Sequence, residues 1–148
     1  DLFQKTVLHS GKLVLIASNK NAPKEGTFKL EGIKNQPFIK IKNLKTNAAQ
    51  NNLDDVLKKE GITVNWIAET ETIQVAKAMV EQGSGYAIID DFSAAIYGDN
   101  ISIHEIEPAI GYKICMISNK EKPLSVSAKS FINFLEKLSG KLDQLIKI

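Results

Sequence analysis

Thr70 and Thr72 stand two residues apart, between an alternating apolar stretch, Ile62-Thr63-Val64-Asn65-Trp66, and a helical pattern. Hydroxyls at a helix start, beside the first-turn backbone N–H groups, suit a carboxylate because donors and helix dipole both favour negative charge. A second set of the same kind, Asn43, Thr46 and Asn47, lies between the stretch Phe38-Ile39-Lys40-Ile41 and the next helical pattern, with Lys40 and Lys42 nearby. In a strand–helix unit the C-terminal end of the strand and the N-terminus of the helix share one edge, where open α/β sheets bind ligands. Lys42, Asn43, Thr46, Asn47, Thr70 and Thr72 are therefore the candidate residues for a small anionic ligand, and Asp90 is a candidate for an ammonium group. The other role open to the hydroxyl and amide residues is helix capping, each cap contributing about 1 kcal/mol. For the lysines the other role is plain solvation.

No catalytic arrangement emerges. His9 and His104 have no Cys or His at metal-ligand spacing, so neither metal nor cofactor is expected. The pairs Asp54-Asp55 and Asp90-Asp91 are adjacent residues, which on a helix point in different directions. Gly83-Ser84-Gly85 lacks the remainder of a phosphate-binding loop, and Ser84 follows a helix rather than leading into one, unlike a nucleophile elbow. The sequence does not read as an enzyme.

Composition narrows the classes further. The 148 residues, 43% hydrophobic and 24% charged, suit one ordinary globular domain. Nineteen basic against seventeen acidic residues leave a formal charge of +2, and every basic residue is Lys. Without arginine the chain lacks the planar fork that reads guanine edges, so direct DNA recognition by this segment is not expected. The single cysteine, Cys115, lies in the apolar run Ile114 to Ile117 and reads as a core residue. No stretch is long and apolar enough for a membrane span, and Asp1-Leu2-Phe3-Gln4-Lys5 is neither a signal peptide nor an initiator start. The expectation is a cytoplasmic segment cut from something longer.

The elements that must position the candidate residues follow from periodicity. Strands are predicted over Lys12 to Ala17, Phe38 to Ile41, Ile62 to Trp66, Tyr86 to Ile89, Ile101 to Ile106 and Tyr112 to Ser118. One helix starts near Asn47, buries Leu53, Val56 and Leu57, and closes at Gly61. A second is opened by Thr70 and Thr72 and stopped by Gly83-Ser84-Gly85, with Ile73, Ala76, Met79 and Val80 inward. A short one, capped by Asp90 or Asp91, runs to Tyr97. The longest covers Leu124 to Leu138, capped by Ser125 with Phe131, Phe134, Leu135 and Leu138 inward, and Lys141 to Ile148 is expected to be a frayed or partner-dependent helical tail. The alternation of strand and helix is the βαβ rhythm of an α/β fold. Leu15 to Lys20 also echoes Met116 to Lys120, read either as coincidence or as a pair of hinge strands.

The run Glu69 to Ile73 through Ala78 to Ile89, with its Gly83-Ser84-Gly85 turn, resembles the signature of LysR-type transcriptional regulators. So do Lys12-Leu13-Val14-Leu15-Ile16, Leu30-Glu31-Gly32-Ile33 with Pro37-Phe38-Ile39, and Lys122-Pro123-Leu124-Ser125 leading to Ala128-Lys129-Ser130-Phe131, in matching order and spacing. The resemblance implies a fold like a type 2 periplasmic binding protein, two α/β lobes joined by two crossover strands with an effector in the cleft. Residues 21–109 would be a complete effector-binding lobe. Residues 1–20 would supply a crossover strand from an incomplete lobe, and 110–148 the return strand and C-terminal helix. The winged helix-turn-helix, its linker helix and the first half of the other lobe have no counterpart here.

The function so implied is sensing of a small anionic or zwitterionic metabolite, which controls DNA binding by a domain outside this chain. Asp90-Asp91-Phe92-Ser93-Ala94 resembles an Asp-Pro-Phe-Thr/Ser-Ala variant among members that sense amino acids or opines, with Asp91 replacing the proline. Thr70 and Thr72 fall where the family often places effector contacts. The expected partners are a small-molecule effector and a second copy of the chain, since apolar faces on the first strand and the Phe131/Leu135 helix would otherwise be exposed. DNA would be reached only through the missing domain, and no membrane is involved. The alternatives are a transporter's solute-binding component with the same lobe plan, and a free-standing dimerisation module.

Overall fold

The computed structural model describes residues 2–24, 26–42, 48–96 and 100–145. The strands are β1 (Phe3–Ser18), β2 (Phe28–Lys29), β3 (Pro37–Ile41), β4 (Asn65–Thr70), β5 (Ala87–Asp90), β6 (Ile101–Glu107) and β7 (Gly111–Asn119). The α-helices are α1 (Ala48–Lys59), α2 (Ile73–Glu81), α3 (Asp91–Ile96) and α4 (Val126–Leu145), with a 3-10 helix over Leu30–Asn35. The chain forms two compact units, Lys12–Tyr112 and a smaller one of residues 2–11 with 113–145. β1 and β7 each pass from one unit to the other.

In the larger unit β1 lies antiparallel between β5 (Leu15↔Ile88) and β6 (Leu15↔His104), and β6 continues to a parallel β2. β3 and β4 run parallel, and a parallel bridge between Phe38 and Tyr86 joins β3 to the strand leading into β5. The resulting order is β4-β3-β5-β1-β6-β2, and β7 pairs with β1.

The central strands are apolar on both faces because both faces are covered. Leu13, Leu15, Phe38 and Ile88 point into a cluster with Leu53 and Leu57 of α1. Val14, Ile16, Ile39, Ala87 and Ile89 point the other way, onto Ala76 and Val80 of α2 and Ala94 of α3. Leu13 through Ala17 are 0–2% exposed, and each large side chain so buried stabilises the fold by about 1.5–3 kcal/mol. The run Leu13-Val14-Leu15-Ile16-Ala17 thus reads as a central strand for a physical reason.

α1 closes at Gly61, with Ile62 N–H donating to Leu57 O at 2.8 Å, and Ile62 packs into the α1 cluster. α2 ends at Gly83, whose φ of 80° only glycine adopts readily. The N–H groups of Gly83 and Ser84 then reach back to Val80 O and Met79 O at 2.8 and 3.0 Å. This aims Gly85 and Tyr86 into the sheet.

Several expectations need correction. The fourth strand is displaced from Ile62–Trp66 to Asn65–Thr70, so Thr70 ends a strand rather than opening a helix. The alternating burial of Ile62, Val64 and Trp66 continues at Ala68 and Thr70, past a register irregularity after Trp66 that turns Ala68 to the α2 face. β1 begins nine residues earlier than Lys12, because its first half is largely exposed and carries no apolar run. α4 does not stop at Leu138 but continues to Leu145, so the backbone is helical in the described part of the expected tail. Phe131 and Phe134, assigned to the inward face of α4, are each 59% exposed, as expected for a helix face whose half-lobe has no counterpart in this chain. The described part of the small unit has two strand segments and one helix, too few layers to cover that helix face. Asn47 and Tyr97, the predicted start of α1 and end of α3, lie outside the described residues.

Candidate functional site

β3, β4 and β5 all run toward one edge of the larger unit, and the residues leaving them there carry the polar groups. Lys42 N–H donates to Thr70 O at 2.7 Å, tying together the ends of the two parallel strands. Thr70 is buried, 8% exposed, and its hydroxyl donates to Thr72 O at 3.1 Å. Thr72 is the N-cap of α2, its Oγ1 accepting from Val75 N–H at 3.4 Å.

These two hydroxyls are chemically different. A threonine hydroxyl has one proton to donate and two lone pairs to accept with. Thr70 spends its proton on the Thr72 carbonyl. Thr72 uses a lone pair for the cap and does not use its proton there. Thr72 is therefore the hydroxyl suited to donate to an anion, and Thr70 the one that shapes the turn presenting it.

The Lys42 ammonium lies 3.3 Å from the Glu71 carboxylate in an exposed pair, so the edge carries both signs of charge. Such a pair contributes roughly 0–1 kcal/mol to stability, leaving the ammonium free to exchange partners at low cost. Lys40 is placed differently, its ammonium 5.6 Å from the centre of the Trp66 ring, a cation–π arrangement on a side chain of the neighbouring strand. Asn43, Thr46 and Asn47 lie outside the described residues.

The end of β5 holds the most densely bonded polar groups nearby. Asp90 Oδ1 accepts Ser93 N–H at 2.7 Å. Asp91, 6% exposed, accepts Lys12 N–H at 3.0 Å on Oδ2. Its Oδ1 takes Phe92 N–H at 2.9 Å and the Tyr112 hydroxyl at 2.7 Å. Burial, and then the bond to Asp91, raises the Tyr112 hydroxyl far above its ordinary 10.0 and keeps it protonated as a donor.

Lys77, 4% exposed, donates to the last-turn carbonyls of α3, Ser93 O at 3.1 Å and Ala94 O at 3.5 Å. Burial lowers its pKa from 10.5 against the opposing pull of Glu81 and Asp90. Sequence reasoning missed both Tyr112 and Lys77. Tyr112 carried no local signal, and Lys77 sits beside Ala76 in a pattern that marks only apolar residues as inward.

Two concavities elsewhere in the larger unit fit an anion less well. One of about 270 Å³ is lined by Glu31, Glu60 and Glu107 with Lys29 as its one cation. Another, of about 360 Å³, is lined by Asn21, Gln36, Pro37 and Tyr86, at the opposite end of β3 from Thr70. Among the described residues no group of three His, Cys, Asp or Glu side chains is placed to hold a metal ion. No helix among them is long and apolar enough to cross a membrane.

The family model for the LysR substrate binding domain matches residues 1–139. The chain belongs to this family. No curated protein matches the LysR-domain chain, but solved structures do. The regulatory domain of CcmR from Synechocystis PCC6803, in complex with 2-PG, aligns with a TM-score of 0.79 at 15% identity, covering 93% of this chain and 67% of that one. The effector-binding domain of QuiR in complex with shikimate gives 0.75 at 21%, covering 95% and 66%. Full-length CbnR, a LysR family regulator complexed with its target DNA, gives 0.71 at 17%, covering 99% and 50%. This LysR domain thus spans about two-thirds of the isolated domains it resembles and half of the full-length regulator. At these identities the likeness establishes the fold, the mixed α/β fold of LysR substrate-binding domains, as the resemblance implied.

Proposed function

We propose that the chain is the effector-sensing part of a cytoplasmic LysR-type bacterial transcriptional regulator, not an enzyme. In this reading residues 21–109 form the effector-binding lobe. Residues 1–20 and 110–148 supply the crossing strands and the C-terminal helix of its companion lobe. The effector is a small anionic or zwitterionic metabolite of amino-acid-like chemistry, and its binding alters DNA binding by a winged helix-turn-helix elsewhere in the regulator, which acts as a dimer.

The family match over residues 1–139 carries this reading, and the chemistry of the sheet edge supports the choice of ligand. Thr72 offers a hydroxyl proton at the N-terminus of a nine-residue helix, where a carboxylate is electrostatically favoured. Lys42 offers an exposed ammonium beside it and Glu71 an exposed carboxylate for an amino group; Asn43, Thr46 and Asn47, which follow Lys42 in the sequence, are kept in this reading as further effector contacts. The resemblance to domains solved with 2-PG and with shikimate supports a small-molecule effector as the class.

Thermal unfolding against a panel of amino acids and small carboxylates tests it. A ligand at 100 times its dissociation constant adds about 2.7 kcal/mol of stability, a rise of about 5–10 °C in midpoint for a chain of this size. The expected result is such a rise with at least one compound, markedly reduced in Thr72→Ala. No rise with any compound would count against the reading.

A further inference from the structure

We infer that Asp91 and Tyr112 form an anchor holding both connections of the larger unit to the edge where the effector binds. The sensing role of this anchor rests on the function proposed above; its geometry does not. The chain enters the larger unit at Lys12 and leaves it at Tyr112, about a hundred residues apart in sequence. One buried carboxylate bonds both, through the backbone N–H of Lys12 and the side-chain hydroxyl of Tyr112.

The surrounding bonds converge on the same place. Leu13 N–H donates to Ile110 O at 2.8 Å, and the Asn52 amide of α1 donates to Gly111 O at 2.9 Å. Leu13 is the strand partner of Asp90, so the anchor sits at the C-terminal end of β5, on the edge that also carries Thr70, Thr72 and Lys42. A cap for α3 needs an acceptor for first-turn N–H groups, and Asp90 already meets that need through Ser93. The Tyr112 bond serves no capping purpose. What it does is hold the point where the chain leaves the larger unit, Tyr112, against the point where it enters, Lys12. A ligand at the edge that shifts the start of α3 therefore moves both connections together. Asp91 and Tyr112 are positioning residues in this scheme and need not touch the ligand.

The test reads the ligand-free chain. Spin labels are placed at Lys58→Cys on α1 and Lys137→Cys on α4, with Cys115→Ser removing the native thiol. The distribution of label separations is compared for Tyr112→Phe, Asp91→Asn and Thr72→Ala. Tyr112→Phe deletes one hydroxyl, and Asp91→Asn turns one acceptor into a donor. Thr72→Ala weakens the larger unit without touching either connection.

The expected result is a broader or shifted distribution in Tyr112→Phe and in Asp91→Asn, and a parental one in Thr72→Ala. Parental distributions in the first two overturn the anchor, as does equal broadening in Thr72→Ala. Loss of a cooperative unfolding transition in both anchor variants would overturn it as well, making the pair a general fold contact. Because no ligand is added, failure here is separate from failure of the ligand panel.

Discussion

Gly85 lies against Pro37 so closely that a Cβ built on it would stand 2.5 Å from the Pro37 carbonyl oxygen and 3.3 Å from the Ile67 side chain. The contact is backbone against side chain, so no rotamer change relieves it. The same carbonyl accepts Tyr86 N–H at 2.9 Å, and Ile39 N–H donates to Tyr86 O at 2.8 Å. These two bonds join the parallel pair β3-β4 to the rest of the sheet. Gly85→Ala is expected to push β3 away from Tyr86 and cost about 1–3 kcal/mol or more, as overpacking does. Urea unfolding checks this, and a loss below about 0.5 kcal/mol, within the range of ordinary surface changes, would show that the junction relaxes freely.

Phe38 gives a second prediction at the same junction. It is 1% exposed, lies edge-on to Trp66 at 6.4 Å and tilted against Tyr86 at 5.6 Å between ring centres. Phe38→Ala removes the ring at the meeting point of three strands, and a buried aromatic so truncated costs about 3–5 kcal/mol. Trp66, the sole tryptophan, reports on this site directly. Its emission should move to longer wavelength in the variant and should follow the same unfolding curve as circular dichroism. Unchanged emission would place the loss elsewhere.

Thr72 separates capping from ligand binding. Thr72→Ala should cost about 1 kcal/mol by loss of the cap to Val75, whereas Thr72→Ser keeps the acceptor and should cost much less. If the hydroxyl also donates to an anionic effector, Thr72→Ala weakens binding by the worth of a hydrogen bond to a charged group, about 1.5–3 kcal/mol or roughly 10- to 100-fold in affinity. Thr70→Val should impair stability without comparable loss of affinity, because the Thr70 proton is spent on Thr72 O. Calorimetric titration of the compound found by thermal shift decides between the two. Equal affinity losses for both variants would contradict the division of roles.

Much of the sheet is legible in the sequence. Leu13 to Ala17 and Tyr86 to Ile89 read as strands because strands covered on both faces are apolar throughout, a signal independent of partners. The first half of β1, Phe3 to Gly11, was not legible, because an exposed half-strand with mixed residues has no pattern of its own. The short β2 and the 3-10 helix after it were missed as regular structure for a related reason: two residues of strand are fixed by pairing with Ile106 and Glu107, not by local propensity. At the edge, the hydroxyls were found from their place between a strand and a helix. Their unequal roles were not, since these depend on which carbonyl Thr70 reaches. Asp91 reads in the sequence as one of two possible caps. Its bond to Tyr112, 21 residues later, is a tertiary fact with no local trace.

His104 sets a pH dependence whose sign can be worked out. Its ring lies on β6 with Nε2 2.9 Å from Ser102 Oγ, and burial lowers its pKa below the ordinary 6.5. In the unfolded chain the ring takes up a proton near that ordinary value, while in the fold it stays neutral to lower pH. The unfolded state therefore binds more protons between the two values, and stability rises with pH across that window. The contribution is complete above the ordinary value and is lost as pH falls through the folded one. Urea midpoints at about pH 7.5 and about pH 5.5, both above the ordinary carboxylate range near 4, should show the chain less stable at the lower pH. His104→Gln keeps a side chain able to reach Ser102 but cannot titrate, so its decline over the same interval should be shallower. An equally steep decline in the variant would assign the effect to another group, and a steeper one would reverse the sign argued here.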